Sequence, residues 1–173
     1  MRHRRDSGRN GSLVQEAGTQ GGFPLWAGIL FGIGFGGFFD GIVFHQLLQW
    51  HHMVSGWYPP DNLPNLRLNT LWDGIFHSLT WSVLVLAVYG FVRAARRGRP
   101  VKSLRRLAAS ALMGWGLFNL VEGVADHVVL GVHRVNELVA IDQRWLWDAG
   151  FLLWGALMLG LGWAWFRSPA RRP

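Results

Sequence analysis

The sequence predicts an all-α protein: an integral membrane four-helix bundle, built as a duplicated two-helix hairpin with a parallel pseudo-two-fold repeat. Three observations carry that expectation. Four apolar runs are long enough to cross a bilayer, the charges are confined to short segments between them, and a polar motif recurs at a fixed offset. Of the 173 residues half are hydrophobic and only 16% are charged, where a soluble domain carries about a quarter. Lys and Arg number 17 against 10 Asp and Glu, a net charge of +7. The arginines lie between apolar runs and not on a folded basic face, which argues against nucleic acid as a partner and for the lipid bilayer. Cysteine is absent, so disulfides and thiolate metal sites are excluded.

A spanning helix needs about 20 mostly apolar residues. The polar, Gly-rich stretch 1–22 is expected to be a disordered cytoplasmic tail. The transmembrane domain is expected over 23–166, and 167–173 as a second short tail. Its first helix runs from Phe23 to Trp50 with no charge before Asp40, and its second from Leu71 to Val92 with Asp73 near the start. The third runs from Leu107 to Val132 and holds Glu122, Asp126 and His127. The fourth runs from Trp145 to Phe166 with Asp148 near its start. Rows of glycine such as Gly28, Gly32 and Gly36 suit close helix approach.

Basic residues cluster before the first helix (Arg2, Arg4, Arg5, Arg9), between the second and third (Arg93 to Arg106) and after the fourth (Arg167, Arg171, Arg172). By the positive-inside rule both termini and the middle loop face the cytoplasm, and loops 51–70 and 133–144 face outward. Trp50, Trp57, Trp72, Trp145 and Trp147 then form an aromatic belt at the outer boundary.

The repeat locates the chemistry. Asp40-Gly41, His45, His51 and Glu122-Gly123, His127, His133 share the pattern [DE]-G-x3-H-x5-H, 82 residues apart. Leu71-Trp72-Asp73 matches Leu146-Trp147-Asp148, 75 residues apart. Repeat 1 covers about 23–92 and repeat 2 about 107–166. All the intramembrane acids and histidines therefore fall in the outward half, opposite one another across the repeat axis. Carboxylates at that depth cost about 2.5–3.5 kcal/mol each at a helix centre, and no Lys or Arg within the helices lies level with them.

Imidazole with carboxylate is a ligand set for iron, copper or zinc, and inward-facing carboxylate and His ligands make metal sites in four-helix bundles. The expected metal ligands are His45, His127, Asp40, Glu122, His77 and Asp73, with Asp148, His51 and His133 behind them. His77, four residues after Asp73, reads equally well as a core histidine. Leu152 stands where Asp148 would need such a histidine. Asp126 is a candidate to orient His127, and His51-His52-Met53 is either an outer copper-receiving site or a solvated helix end. On an ideal α-helix Asp40 and His45 lie about 140° apart, so either a local widening at Gly41 brings them together or they face different neighbours. No nucleophile–base arrangement is recognisable, so no reaction is assigned.

The runs GFFDGIVFHQLLQWHHM, LWDGIFHSLTW, FNLVEGVADHVVLGVHRV and LWDAGFLLWG resemble the bacterial membrane proteins grouped as domain-of-unknown-function family 2243. The resemblance implies a four-helix protein of the bacterial inner membrane, with respiratory-enzyme assembly proteins as partners. It brings no activity or ligand. Three readings stand: a transition-metal protein for metal handling or redox chemistry, a b-type haem protein with His45 and His127 as axial ligands, and a structural or partner subunit with a buried polar network.

Overall fold

The computed structural model describes residues 22–168, so the expected tails at 1–21 and 169–173 lie outside the described residues. The described chain is all-helical, with four segments long and apolar enough to cross a membrane. Helix α1 (Leu25–Asp40) passes directly into a π-helix, π1 (Gly41–Leu47). Helix α2 (Leu63–Arg96) runs back, and α3 (Leu104–Glu122) passes into a second π-helix, π2 (Gly123–Val129). A single 3-10 turn (Ile141–Gln143) precedes α4 (Arg144–Arg167).

Helix α2 starts eight residues before the expected Leu71. Asn62 caps it by accepting the Asn65 amide, and Pro64 sits in the first turn, where its missing N–H costs nothing. Ser103 caps α3 in the same way through the Arg106 amide.

The helices lie in the spatial order α2, α1, α3, α4. Helix α1 packs on α2 and α3, and α3 packs on α1 and α4, while the outer two helices do not meet. The α1–α3 seam is made by small residues. A Cβ on Gly114 would stand 2.0 Å from the Ile29 carbonyl oxygen, and one on Gly32 would stand 1.9 Å from that of Ala111. With lipid chains as apolar as any side chain, such contact and not hydrophobic burial holds membrane helices together. Leu or Val at either glycine would overpack the seam at a cost of about 1–3 kcal/mol or more.

The upper ends of α1 and α3 are built alike. The Leu48 amide bonds the Val43 carbonyl at 2.8 Å, and 82 residues later Leu130 bonds Ala125 at 2.8 Å. Each chain then turns through a left-handed residue, Gln49 (φ 49°) and Gly131 (φ 58°), also 82 residues apart. That turn sends residues 50–56 and 132–136 back over the helix ends. There the Gly56 amide bonds the Val132 carbonyl and the Glu137 amide bonds the Trp50 carbonyl. Asn69 of α2 pins the first of these segments, accepting the Val54 amide and donating to the Tyr58 carbonyl.

Candidate metal centre

The two π-helices solve the problem of helical phase. In an i→i+5 helix, residues five apart stand on one face, and Asp40 and His45 are five apart, as are Glu122 and His127. His45 Nε2 accordingly comes to 3.0 Å from Asp40 Oδ2. Glycine follows each acid because the space is taken by the neighbouring helix. A Cβ at Gly41 would stand 2.6 Å from His77 Nε2, and one at Gly123 would stand 2.7 Å from Leu152 Cδ2.

His51 and His133 differ from the expectation of a surface position. The left-handed turns fold them inward, where they are 2% and 0% exposed. Their rings stack face to face, 4.4 Å between centroids and 3° from parallel. His45 lies edge-on to His51 at 4.5 Å, and His127 edge-on to His133 at 4.8 Å. Three overlapping triads have ligand atoms within 4.8 Å of one another: His45, His51 and His133; Glu122, His127 and His133; Asp40, His45 and Glu122. Together they join six residues, the two copies of the acid–His–His motif, into one closed cluster.

What the inner atoms lack is more telling than what they touch. Among the described residues ten buried side-chain nitrogens and oxygens have no hydrogen-bond partner, and nine belong to these six residues. They include all four oxygens of Asp40 and Glu122 and the Nε2 atoms of all four histidines. Native proteins rarely leave such groups unpaired, each costing about 1–3 kcal/mol. Asp40 Oδ2 and His45 Nε2 are near neighbours yet out of line for a hydrogen bond.

The outer nitrogens of three rings are, by contrast, fully engaged. His45 Nδ1 donates to Asp73 Oδ1 at 2.8 Å. His51 Nδ1 donates to the Val135 carbonyl at 2.8 Å, and His133 Nδ1 to the Met53 carbonyl at 3.0 Å. A carbonyl only accepts, so Nδ1 carries the proton and a neutral ring presents its Nε2 lone pair inward. Burial, then the nearby His133 and His45, hold His51 well below the usual imidazole range. Burial, then His45, lower His133 to about 4. Both rings are therefore neutral at pH 7, as metal binding requires.

A second layer crosses between the halves. Asp73 accepts from His45, from His52 Nδ1 at 2.8 Å and from the Met53 amide at 2.8 Å. The carbonyl of that Met53 holds His133 of the other half. Asp148 repeats the pattern, accepting Arg134 Nη1 at 2.8 Å and the Val135 amide at 3.1 Å, and the Val135 carbonyl holds His51. His127 Nδ1 faces Asp148 at 3.9 Å. Asp73 and Asp148 thus orient histidines from one shell out, and the Asp126 carbonyl serves the Val132 amide.

His77 stays apart, its Nδ1 donating to the Asp73 carbonyl of its own helix at 2.8 Å. Its ring covers Gly41 as Leu152 covers Gly123, which makes its position a packing one. The sequence reading missed His52 and Arg134 as partners of the two aspartates. The signal was present, since His52–Met53 and Arg134–Val135 extend the 82-residue repeat. Arg134, reaching in from a loop, also supplies a cation that the helices do not.

The fold and the cluster define a polytopic helical membrane protein with an enclosed His/carboxylate constellation at one end. The chain belongs to the family of predicted membrane proteins DUF2243, whose pattern it matches over residues 27–169. Neither the curated proteins nor the solved structures compared with it match the chain.

Asp73→Asn preserves shape but turns an amide donor toward groups that themselves donate. It should cost about 1–3 kcal/mol, seen as a lower thermal unfolding midpoint in mild detergent, whereas Asp142→Asn on the exposed 3-10 turn should change nothing. Equal midpoints for Asp73→Asn and the wild type would contradict the crossed second layer.

Proposed function

We propose that this protein is a resident transition-metal protein of the bacterial inner membrane, with the metal held in the extracytoplasmic half by Asp40, His45, His51, Glu122, His127 and His133. The observation that carries the reading is the set of nine unpartnered buried atoms on these six residues. Such a set is poorly matched as a hydrogen-bond network, because its members are near neighbours, His45 Nε2 lying 3.0 Å from Asp40 Oδ2, but are out of line to bond well. A cation among the four Nε2 atoms and the two carboxylates would satisfy most of them, His127 Nδ1 lying instead toward Asp148, and one divalent ion balances the two carboxylates. Outer nitrogens donating to carboxylate and carbonyl oxygens are the usual support for ligating histidines. Iron, copper and zinc all fit this donor set.

The six residues are between 0% and 4% exposed. That enclosure suits an ion that stays and does chemistry in place, such as redox chemistry, rather than cargo in transit to respiratory enzymes. A b-type haem would need an open slot with His45 and His127 on its two faces. The stacked His51 and His133 rings and the carboxylates take up that space. The hairpin repeat is read as a gene duplication, with its axis along the membrane normal. The distribution of arginines supports cytoplasmic termini, and a periplasmic signal from a reporter fused after Arg97 would overturn that orientation.

Protein purified in mild detergent should carry about one equivalent of tightly bound iron, copper or zinc and show no Soret band. Asp40→Asn and Glu122→Gln should each lower the metal content measured by inductively coupled plasma mass spectrometry. His77→Leu, which copies Leu152 of the other half, should leave it unchanged. A wild-type protein that is stable and free of both metal and chromophore would defeat this reading.

A further inference from the structure

One side of the cluster is incompletely packed. A cleft enters between α1, α3 and α4, with Phe39, Phe44, Trp115, Phe151 and Trp154 as its walls and Asp40 at its inner end. Its volume is about 50 Å³. Phe39 and Trp154 at its rim are 40% and 58% exposed, at a level of the helices that lies within the apolar spans. The surrounding medium there is lipid hydrocarbon.

The cleft comes from a difference between the two halves. Gly36 lines it, and the residue 82 positions later is Phe118. On that other side Phe118 packs against Phe76 at 6.1 Å and lies over Gly37, putting a ring where Gly36 leaves room. Trp154 has its counterpart, 75 residues earlier, in Leu79. Two further observations tie the cleft to the cluster. Asp40 is 2% exposed with both oxygens unpartnered, and the Phe151 ring lies 5.2 Å from that of His127.

We infer that this cleft is a lateral passage by which a small, uncharged, apolar molecule of the size of dioxygen reaches the buried cluster from within the bilayer. The inference rests on the metal reading for its destination, but the passage is a property of the packing alone. Its polar lining is limited to Asp40 and Asn119, too little to replace the hydration shell of an ion or a sugar. Its volume accepts one or two diatomic molecules. Such gases concentrate in hydrocarbon relative to water, so a route from the lipid delivers them where the polar side is sealed by residues 50–56 and 132–136.

Nitric oxide binding to the ferrous-loaded protein, followed by stopped-flow absorbance, tests the passage. Gly36→Leu, which supplies some of the bulk that Phe118 gives the other half, should slow association about tenfold or more. Trp154→Ala, at an exposed position that risks little in folding, should speed it several-fold. Iron content should stay at the wild-type level in both. Unchanged rates with iron in place would overturn the passage and leave the metal site standing. Absence of iron, copper and zinc alike from the wild type would instead defeat the metal reading, and xenon would then test the cleft by itself. Crystals of the metal-free protein under xenon should show an atom between Phe39 and Trp154. An acyl chain there, or no xenon, would overturn the inference.

Discussion

The acid and the first histidine of each half stand five positions apart, and an α-helix cannot put such a pair on one face. Most other features of the site depend on that constraint. Widening to a π-helix brings Asp40 to His45 and is well suited to a glycine at the widened turn, where another helix crosses close by. A π-turn gives up regular hydrogen bonding and packing in its own helix, so it persists where the surroundings impose it. Here two of them stand at the same end of the two central helices, and both carry an acid and a histidine into a space that no solvent reaches.

The loops above the π-helices do the complementary work. Each half holds a histidine of the other through one backbone carbonyl, and the amide of that same residue is held by an aspartate of α2 or α4. The outer helices, largely lipid-facing along their length, therefore reach the cluster through one aspartate and one phenylalanine each, Asp73 with Phe76 and Asp148 with Phe151. Disturbing Asp73 acts on His45 directly and on His133 by way of Met53. This arrangement fixes the inward lone pairs of His51 and His133, so under the proposed metal reading little reorganisation would accompany binding.

Much of the fold was legible because membrane spans are long and leave a strong signal in composition, and the four helices fall where the apolar runs lie. Of the site, the motif was legible but its outer half was misplaced. His51 and His133 were read as continuing straight helices to the surface, whereas left-handed turns reverse the chain before them. Gly131 advertises such a turn, but Gln49 does not. The 140° phase gap between Asp40 and His45 was itself the mark of the π-helix. His77 was legible only as a ligand or a core histidine, and in the fold its Nδ1 donates to the Asp73 carbonyl and its ring lies against Gly41. Arg134 was hidden because a loop cation has no depth until the loop is folded.

The central claim is that one enclosed centre is shared by both copies of the acid–His–His motif. Anomalous diffraction at the absorption edge of the metal found in the purified protein tests it most directly. The account predicts a single strong peak, or a close pair, enclosed by Asp40, His45, His51, Glu122, His127 and His133. A peak confined to the surface beside His52 and Met53, or ligands drawn from one half alone, would contradict it.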